Sequence, residues 1–533
     1  MKKFILLAAS AAILSFSTRL QAQAPVLGTT ADFALFTTNG AVTSTGLSHI
    51  TGNVGTNNGS STNFGNVDGV MHDSDGTTMT AAADLTLAYN QLNAAIPNYF
   101  PSSLLGNGQI LTAGTYSIGQ SASLNNTLTL DGGGNANSVF IFQIGGALSS
   151  GANAQVLLTN GALACNVYWK VEGLVDLATN TAMKGTIVAN NAAIILNSGT
   201  SLEGRALSTT GAVTVSGVTV RKPVGCGSAV LTGPAAPNLG TVVCYTVFTG
   251  NGSLTNTGVT FIKGDVGTNS GLTTGFDATK VTGTIHENPD TSTAQAALDL
   301  NNAYTYLHTL PVDIELLYPA AFGQDLVLTP HTYLLDAATV LNGNVILNAQ
   351  NNPDAVFVIK INGALSTSTY ASVELLNGAQ AKNVFWKVDG AVNLNDYTKF
   401  KGTVVGNNGA VIINNGVEVE GRVLSTSGGI SIFGINAAMT SGCELLGTAS
   451  AASKTAAVQV YPNPFSTTLN VKTEALDGGA TLVIYNSAGA QVMQTTLSQK
   501  NTVLPMKLPA GVYFYQYKSK NGAKQSGKLI ARP

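Results

Sequence analysis

Short stretches in which apolar and polar residues alternate run along most of this chain. In the segment from Leu124 to Leu130, leucines alternate with asparagine and threonine, and Ile187 and Ile195 lie in similar runs. A period of two places successive side chains on opposite faces of a β-strand. Glycine- and asparagine-rich turns separate the stretches. The pattern predicts many short strands, each with one face in a core and the other in solvent.

Two segments have apolar residues at intervals of three and four positions instead, which predicts amphipathic helices packed alongside the strands. The first covers about residues 80–96 and the second about residues 291–310, and Pro97 and Pro311 follow them. The apolar stripes consist of Leu85, Ala88, Leu92 and Ile96 in the first segment and of Leu300, Ala303 and Leu307 in the second.

The same landmarks occur twice at a nearly constant offset. NVYWKVEGLVDL at 166–177 returns as NVFWKVDGAVNL at 383–394, and TSTGLSHITGNVGTN at 43–57 returns as TNTGVTFIKGDVGTN at 255–269. Two copies of one domain of about 200 residues therefore follow each other, and each is long enough to bury its own core.

Composition favours an all-β chain. Only 10% of the 533 residues are charged, 44% are hydrophobic, and 59 are glycine. Such a chain with one helix per copy is either a sandwich or a solenoid. We favour the solenoid because small aliphatic residues and short strands suit a narrow stacked core. No strict coil length is visible, so the solenoid must be irregular. A net charge of −2 gives no field that would recruit nucleic acid.

The termini carry export features. Lys2 and Lys3 precede an apolar run from Phe4 to Phe16, which predicts a signal peptide over residues 1–24. No later apolar run is long enough to span a membrane. We expect the following division: a first repeat over 25–226, a linker over 227–236, a second repeat over 237–443, a linker over 444–457 and a tail domain over 458–533.

Four cysteines fit an exported chain with disulfides. Cys226 and Cys443 close the two copies at equivalent positions, whereas Cys165 and Cys244 do not correspond. Three connectivities are open, and the simplest is Cys165–Cys226 with Cys244–Cys443. No Cys/His cluster suggests a metal. The segment DSDG at 73–76 has oxygens for Ca²⁺, but a polar turn is the better interpretation. We expect no cofactor and no metal.

Both copies resemble the microbial ice-binding proteins. The landmarks are TSTG with GNVG, LTAGTYSI at 111–118, LTLDGGGNANSVFIFQIGGAL at 128–148, ACNVYWKV at 164–171 and KGTIVANNAAIILNSGTSLEGRAL at 184–207, with their counterparts in the second copy. The resemblance implies a discontinuous, irregular right-handed β-solenoid with one α-helix alongside, in two tandem copies. It also implies that the partner is the surface of an ice crystal and that no enzymatic activity is present.

The tail resembles the C-terminal sorting domains of the type IX secretion system of Bacteroidetes. It carries YPNPF at 461–465, LVIYNSAGAQV at 482–492, LPAGVYFYQ at 508–516 and GKLI at 527–530. The resemblance implies a small β-sandwich that the export machinery recognises, and hence a secreted or surface-attached extracellular protein. We expect a monomer without a membrane span.

The family resemblance further implies an ice-contacting face built from short T/S-G-x-T/S/N segments. In the first copy the candidates are Thr45, Gly46, Ser48, Asn125, Thr127, Ser150, Gly151, Asn153, Ser198, Thr200, Ser201, Thr210 and Thr214. In the second copy they are Thr257, Gly258, Thr260, Asn342, Asn344, Thr367, Thr369 and Ser427. Glu418 stands where the first copy has Ser201, so we expect a charge on or beside the second face, with either a weaker ice activity there or a preference for another crystal plane.

Ice binding, with thermal hysteresis and inhibited recrystallisation, is therefore the leading functional prediction. A β-solenoid enzyme acting on polysaccharide is one alternative, although the few carboxylates do not cluster as such a site requires. An adhesin that binds glycan or a neighbouring cell is another, and an exposed stripe of tyrosine or tryptophan would favour it. Trp169 and Trp386, the two tryptophans, occupy equivalent strand positions that indicate a core.

Overall fold

The computed structural model describes residues 22–227, 229–288, 290–440, 443, 458–473, 480–519 and 524–532. All but the last three residues of the predicted signal peptide, and the whole linker at 444–457, lie outside the described residues. The chain divides into two compact units, Met1–Cys443 and Glu444–Pro533. The first unit contains both copies, here called repeat one and repeat two.

Each repeat is a β-solenoid, as predicted, and it has three sides. The chain visits three stacks of parallel strands in turn, which we call the helix face, the open face and the charged face. The open face of repeat one is an eight-stranded sheet. Its strands, in stacking order, are Ser61–Thr62, Val42–Thr45, Val213–Ser216, Ile194–Leu196, Val175–Leu177, Leu148–Ser150, Ala122–Asn125 and Leu104–Gly106.

The other two faces of repeat one form a single 13-stranded sheet. The long strands Ala182–Ala189 and Ser201–Ser208 belong to both faces, because the first half of each lies on the charged face and the second half on the helix face. The helix face also contains Met71–Asp73, Asn53–Thr56, Phe33–Thr37, Val167–Val171, Phe140–Ile144 and Gly114–Ile118. The charged face also contains His49–Thr51, Thr219–Arg221, Gln155–Thr159, Thr127–Asp131 and Gln109–Thr112.

Repeat two has the same three faces, with an eight-stranded and a 15-stranded sheet. Its open face consists of Thr273–Thr274, Leu254–Thr257, Ile430–Phe433, Val411–Ile413, Val392–Leu394, Leu365–Thr367, Thr339–Asn342 and Phe322–Gly323. Its helix face consists of Ile285–His286, Asp265–Thr268, Tyr245–Thr249, Val384–Val388, Phe357–Ile361, Thr332–Leu335 and Ile314–Glu315. Its charged face consists of Val281–Thr282, Phe261–Lys263, Asn436–Ala438, Ser372–Leu376, Asn344–Asn348 and Leu326–Leu328. The long strands Lys399–Gly406 and Glu418–Ser425 again belong to the last two faces.

The stacking order departs from chain order, as expected for a discontinuous solenoid. In repeat one the first strands lie beside the last ones, with Leu35 paired to Ala206 and Val42 to Val213. Between them the chain passes through a helix to the far end of the stack. The α1 helix, Gly76–Ala94, and its counterpart α2, Thr291–Thr309, each pack on the helix face of their own repeat. The short 3₁₀ segments are Gly28–Asp32, Ala164–Asn166, Gly240–Cys244, Pro319–Ala321 and Ala381–Asn383.

The α1 helix begins at Gly76, four residues before the predicted start near residue 80. A helix cap at Asp75 stabilises this first turn, whose residues have low helix propensity. Asp75 accepts a hydrogen bond from the Thr78 amide at 2.8 Å, and the Thr78 side chain accepts from the Asp75 amide. This capping box satisfies free amides of the first turn. The 73–76 segment is therefore a helix cap. The helix ends at Ala94, which leaves Ile96 outside the buried stripe and exposed.

The cores consist of stacked aliphatic and aromatic side chains. Trp169 and Trp386 are fully buried, as predicted. In repeat one, Tyr99, Tyr116, Phe142 and Trp169 stack in successive coils, with ring centroids 4.8, 5.1 and 4.0 Å apart. The disulfides are Cys165–Cys226 and Cys244–Cys443, the simplest of the three pairings.

The tail domain contains two antiparallel sheets around one core that includes Leu469, Ile484 and Leu529. The first sheet consists of Val458–Tyr461, Thr468–Thr473 and Asn501–Pro505. The second consists of Gln491–Leu497, Ala480–Asn486, Gly511–Ser519 and Lys524–Ala531. Within the described parts of the whole chain, no helix is both long and apolar enough to cross a membrane.

Candidate functional site

The helix face cannot present its strands to an extended ligand. In repeat one, Leu85 and Leu92 of α1 pack against Phe36 and Ile141 in a closed hydrophobic cluster. An equivalent cluster joins α2 to the helix face of repeat two. The outer side of each helix face is therefore already occupied by the protein itself.

The charged face displays ion pairs. In repeat one, Glu203 accepts from the Lys184 ammonium at 2.8 Å and from the Arg221 guanidinium at 2.9 Å. Partial burial acts to raise the pKa of Glu203, but the hydrogen bonds from Lys184 and Arg221 outweigh it and lower the pKa overall. In repeat two, Lys401 lies 3.7 Å from Glu420. This face holds fixed charges and their hydration in both repeats.

The open face of repeat one carries small polar and aliphatic side chains in register. One outward position of each strand forms a central row along the stack, and a second row lies beside it. The central row is Thr62, Thr43, Thr214, Ile195, Asp176, Ser149, Ser123 and Leu104. The second row includes Thr45, Ser216 and Asn125. The Thr43 hydroxyl donates to the Thr214 hydroxyl at 3.4 Å. Neighbouring coils are therefore joined by a side-chain hydrogen bond as well as by the backbone.

Repeat two presents the same rows. Its central row is Thr274, Thr255, Ser431, Ile412, Asn393, Ser366 and Val340. Its second row includes Thr257, Phe433 and Asn342. The Thr255 and Ser431 hydroxyls are again 3.4 Å apart. Hydroxyl, amide and methyl groups thus repeat along both open faces.

Asp176 is the single ionisable residue on the strands of the two open faces. It is half-buried and accepts a hydrogen bond from the Asn197 side-chain amide at 2.8 Å. In repeat two the equivalent Asn393 accepts the equivalent bond from Asn414, also at 2.8 Å. The hydrogen bond is therefore common to the two repeats, whereas the negative charge is present in repeat one only.

The residues predicted from the short motifs fall in four places. Five lie on the open faces: Thr45, Asn125, Thr214, Thr257 and Asn342. Eight lie at the corners beside the open faces: Gly46, Gly151, Asn153, Ser198, Thr210, Gly258, Thr369 and Ser427. Ser150 ends the open-face strand Leu148–Ser150, and its hydroxyl lies 2.7 Å from that of Thr181. Three lie on the charged face: Thr127, Ser201 and Asn344. Four are buried: Ser48, Thr200, Thr260 and Thr367.

The buried hydroxyls of these segments are used inside the protein. Ser48 bonds to Ser44 at 3.0 Å, Thr260 to Asn256 at 2.6 Å and Thr367 to Thr398 at 2.8 Å. The second hydroxyl residue of the motif turns inward at the corner and satisfies a buried polar partner. These four side chains are therefore unavailable to an external surface. The motif places them there because their hydroxyls form hydrogen bonds inside the corners of the solenoid.

Glu418 lies on the charged face, where it is paired with Lys399 of the neighbouring strand. Its counterpart in repeat one is Ser201, the first residue of Ser201–Ser208. It therefore lies beside the open face of repeat two and not on it. The short motifs do not include outward residues such as Thr43, Ser149, Thr255 and Ser431. Each of these directly follows a buried aliphatic residue, namely Val42, Leu148, Leu254 and Ile430, in a strand that alternates inward and outward positions. That alternation after a small-residue turn is the signal that finds the open face.

Among the described residues, no group of three or more His, Cys, Asp or Glu side chains is placed to hold a metal ion. The candidate site is thus an extended surface and not a cleft with reactive groups.

Comparison with known proteins gives the same two parts. A profile described as ice-binding-like matches residues 36–221 and 248–440, and one described as a secretion system C-terminal sorting domain matches residues 459–532. An ice-binding protein of Nostoc sp. (strain HG1) is 38% identical over 219 residues, which are 40% of this chain and 80% of that protein. Ice-binding protein 1 of Shewanella frigidimarina (strain NCIMB 400) is 40% identical over 146 residues, 26% of this chain and 16% of that protein.

A solved structure resembles both repeats together. The crystal structure of an ice binding protein from an Antarctic bacterium Flavobacteriaceae is 80% identical to this chain, with a TM-score of 0.79. The match covers 79% of this chain and 100% of that one.

Proposed function

The chain belongs to the ice-binding-like family, and from this premise we propose that it adsorbs to ice crystals through the open faces of its two repeats. The supporting observation is that each open face combines strands in register with outward side chains that, apart from Asp176, are uncharged. Adsorbed molecules pin the ice front between them, so that growth requires a curved front and a lower temperature. Thermal hysteresis and inhibited recrystallisation are the expected activities.

The open faces suit an ordered solid for three physical reasons. Parallel strands in register repeat at about 4.7–4.9 Å, which offers a regular grid to the water layer. Threonine supplies a hydroxyl and a methyl on a stiff β-branched side chain. The buried aliphatic row beneath, Val42, Val213 and Ile194 among others, holds the strands in place, so that little side-chain entropy is lost on docking.

The other two faces are less suitable. The helix face is covered by α1 or α2. The charged face carries Lys184, Glu203 and Arg221 in repeat one. Ionised groups hold water in shells whose geometry differs from that of ice, and releasing those shells costs free energy.

The tail domain is a secretion system C-terminal sorting domain, so the protein is extracellular, either secreted or held at the cell surface. We expect the type IX export machinery to recognise this domain and the mature chain to act as a monomer. The relatives named above are ice-binding proteins rather than enzymes, and the same non-enzymatic role is proposed here.

Partition into growing ice tests the proposal. The wild-type chain should be incorporated into a slowly growing ice front, and a chain with Thr43→Tyr and Thr255→Tyr should be incorporated less. Recovery of the wild-type chain wholly in the liquid would refute ice binding. Equal incorporation of both chains would refute the open faces as the contact surface.

One observation favours glycan adhesion as a second candidate function. Tyr370 and Tyr397 stack with ring centroids 5.0 Å apart at a corner of repeat two, and their exposed fractions are 70% and 45%. The counterparts in repeat one are Asn153 and Asn180, whose side chains also bond to each other. Aromatic rings exposed in this way can stack on sugars. Glycan-array binding that is lost in Tyr370→Asn with Tyr397→Asn would establish this role, and no glycan binding by the wild type would remove it.

A further inference from the structure

Repeat one and repeat two meet end to end, with the same coil direction. The strand His49–Thr51, which ends the charged face of repeat one, contacts Leu326–Leu328, which begins the charged face of repeat two. Gln109–Thr112, the counterpart of Leu326–Leu328, lies at the opposite end of repeat one. The junction is therefore head-to-tail. Because the two charged faces adjoin, and both repeats visit their faces in the same order, the two open faces look to the same side.

Asn66 fixes one corner of this junction. It follows the last open-face strand of repeat one, Ser61–Thr62, and is 8% exposed. Its side-chain amide donates to the carbonyl oxygens of Tyr318 and Ala321, at 2.9 and 3.3 Å. Its side-chain oxygen accepts from the Tyr318 amide at 2.9 Å. Tyr318 and Ala321 directly precede Phe322–Gly323, the first open-face strand of repeat two. One side chain thus connects the ends of the two open faces.

Asp68 fixes a second corner. It is 3% exposed, and its two carboxylate oxygens accept from the Tyr333 hydroxyl at 2.6 Å and from the Thr329 hydroxyl at 2.9 Å. Two charged or titratable groups also face the carboxylate, Lys222 of repeat one and His331 of repeat two. A carboxylate buried between domains is tolerated only where hydrogen bonds replace its water. These bonds break together if the repeats separate.

The outer ends of the two repeats lack this arrangement. The backbone of Asp68 forms a parallel β-bridge with that of Thr51. The corresponding backbone pair at the free end of repeat two is Thr282 with Lys263. Thr282 is exposed there, and the neighbouring Lys280 pairs with Asp277 of its own repeat. At the free end of repeat one, the Tyr116 hydroxyl donates to the Thr112 carbonyl oxygen, and at the junction the Tyr333 hydroxyl lies against the equivalent Thr329 carbonyl oxygen. Tyr116, however, has no carboxylate partner among the described residues. Asn66 and Asp68 therefore occur only where a second repeat docks.

We propose that Asn66 and Asp68 are positioning residues that lock the two open faces into one composite ice-contacting surface. This inference rests on the proposed function. A second face fixed beside the first contacts ice without a further search, so the pair gains avidity that two freely jointed faces would partly lose.

Spin labels at Thr86→Cys and Thr305→Cys measure the junction directly, in the full-length chain. The two positions are exposed on α1 and α2, away from the open faces, and all four native cysteines are in disulfides. We expect a narrow distance distribution in the wild type and a broad one in Asn66→Ala with Asp68→Ala. Thermal hysteresis of the unlabelled double variant should fall by at least about twofold at equal concentration because avidity is lost.

Two single variants separate docking from folding. Tyr333→Phe removes one bond to Asp68 and should broaden the distribution, whereas Tyr116→Phe removes only the internal bond and should leave it narrow. Thr282→Ala at the free end should change neither measurement. A narrow distribution in the double variant, or a broad one with undiminished hysteresis, overturns the inference. A wild type without hysteresis refutes the proposed function instead, while the distance measurement still reports on the junction.

Discussion

The open face of repeat one and that of repeat two share a backbone pattern but differ at a few outward positions. Both bury an equivalent row of mostly aliphatic side chains, and in both an outward pair of hydroxyls on equivalent strands is 3.4 Å apart. Repeat one has Asp176 where repeat two has Asn393, and repeat two has the exposed ring of Phe433 where repeat one has Ser216. The inward residues therefore maintain the solenoid, and the outward residues are free to set how well each face fits ice.

The Asp176 and Asn393 pair shows that the fold does not require the charge. Asn197 donates to Asp176 and Asn414 donates to Asn393 at the same distance, 2.8 Å. A neutral amide accepts the same hydrogen bond as a carboxylate does. Exchanging Asp176 for asparagine, or Asn393 for aspartate, therefore changes the charge of an open face without leaving the donor on Asn197 or Asn414 unpaired.

The largest effect is expected from bulky substitutions on the better face. Thr255→Tyr with Ser431→Tyr places two rings on adjacent strands of the charge-free open face of repeat two. The rings would hold ice away from the remaining side chains, and we expect thermal hysteresis to fall by at least about half, because one of two linked faces is lost. The matched control is Asn344→Tyr with Ser372→Tyr, an adjacent pair on the charged face of the same repeat. A similar loss in the control would contradict the assignment.

A smaller effect is expected from exchanging the charge. Asp176→Asn should increase the hysteresis contributed by repeat one, and Asn393→Asp should decrease that of repeat two, because an ionised group retains its own hydration shell. Unfolding temperatures should change little, since the hydrogen bond to Asn197 or Asn414 remains. The chain with both substitutions should have an activity near that of the wild type. If the two single variants changed activity in the same direction, charge would not be the property that distinguishes the faces.

A still smaller effect is expected at Phe433. Phe433→Ser installs the residue of repeat one at the edge of the open face, where the ring is 41% exposed. We expect a modest increase in hysteresis, because the ring stands higher than the hydroxyl side chains beside it. Ice-crystal growth rates at fixed undercooling would measure it, with Val340→Ser, the residue found at Ser123, as the comparison. A decrease would mean that the ring itself contacts ice.

No effect is expected at Glu418. Its motif position suggested a weakened ice surface in repeat two, but its side chain stands on the charged face. Glu418→Ser should leave both hysteresis and ice incorporation unchanged. A gain of activity in this variant would mean that the contact surface extends around the corner onto the charged face.

Much of the fold follows from sequence for identifiable reasons. Period-two alternation and the 212- and 217-residue offsets predict two copies of short-stranded solenoid, and the apolar stripe around Leu85 and Ala88 predicts the helix on each. The early start of α1 was not predicted because its first turn, GTTM, is poor in helix formers and depends on the Asp75 cap. The stacking order of the strands could not be predicted from the sequence. The coils differ in length, so no fixed sequence spacing indicates which strands pair.

The sequence identified only part of the proposed contact surface. Serine and threonine occur both as outward residues of the open faces and as buried residues at the corners. Thr45 and Thr214 lie on the open face, whereas Thr200 and Thr367, which come from similar motifs, point inward and hydrogen-bond within the protein. A hydroxyl residue after a turn satisfies a buried partner as readily as it meets solvent. Only the pairing of strands shows which threonines stand in one row.

Ice incorporation of two four-site variants tests the central claim most directly. The first carries tyrosine at Thr43, Thr214, Thr255 and Ser431 on the open faces, and the second at the equally adjacent positions Thr127, Gln155, Asn344 and Ser372 on the charged faces. Circular dichroism would confirm that both retain the solenoid. We predict that the open-face variant stays in the liquid while the charged-face variant enters ice like the wild type. The reverse result, or equal entry of both, would contradict the account.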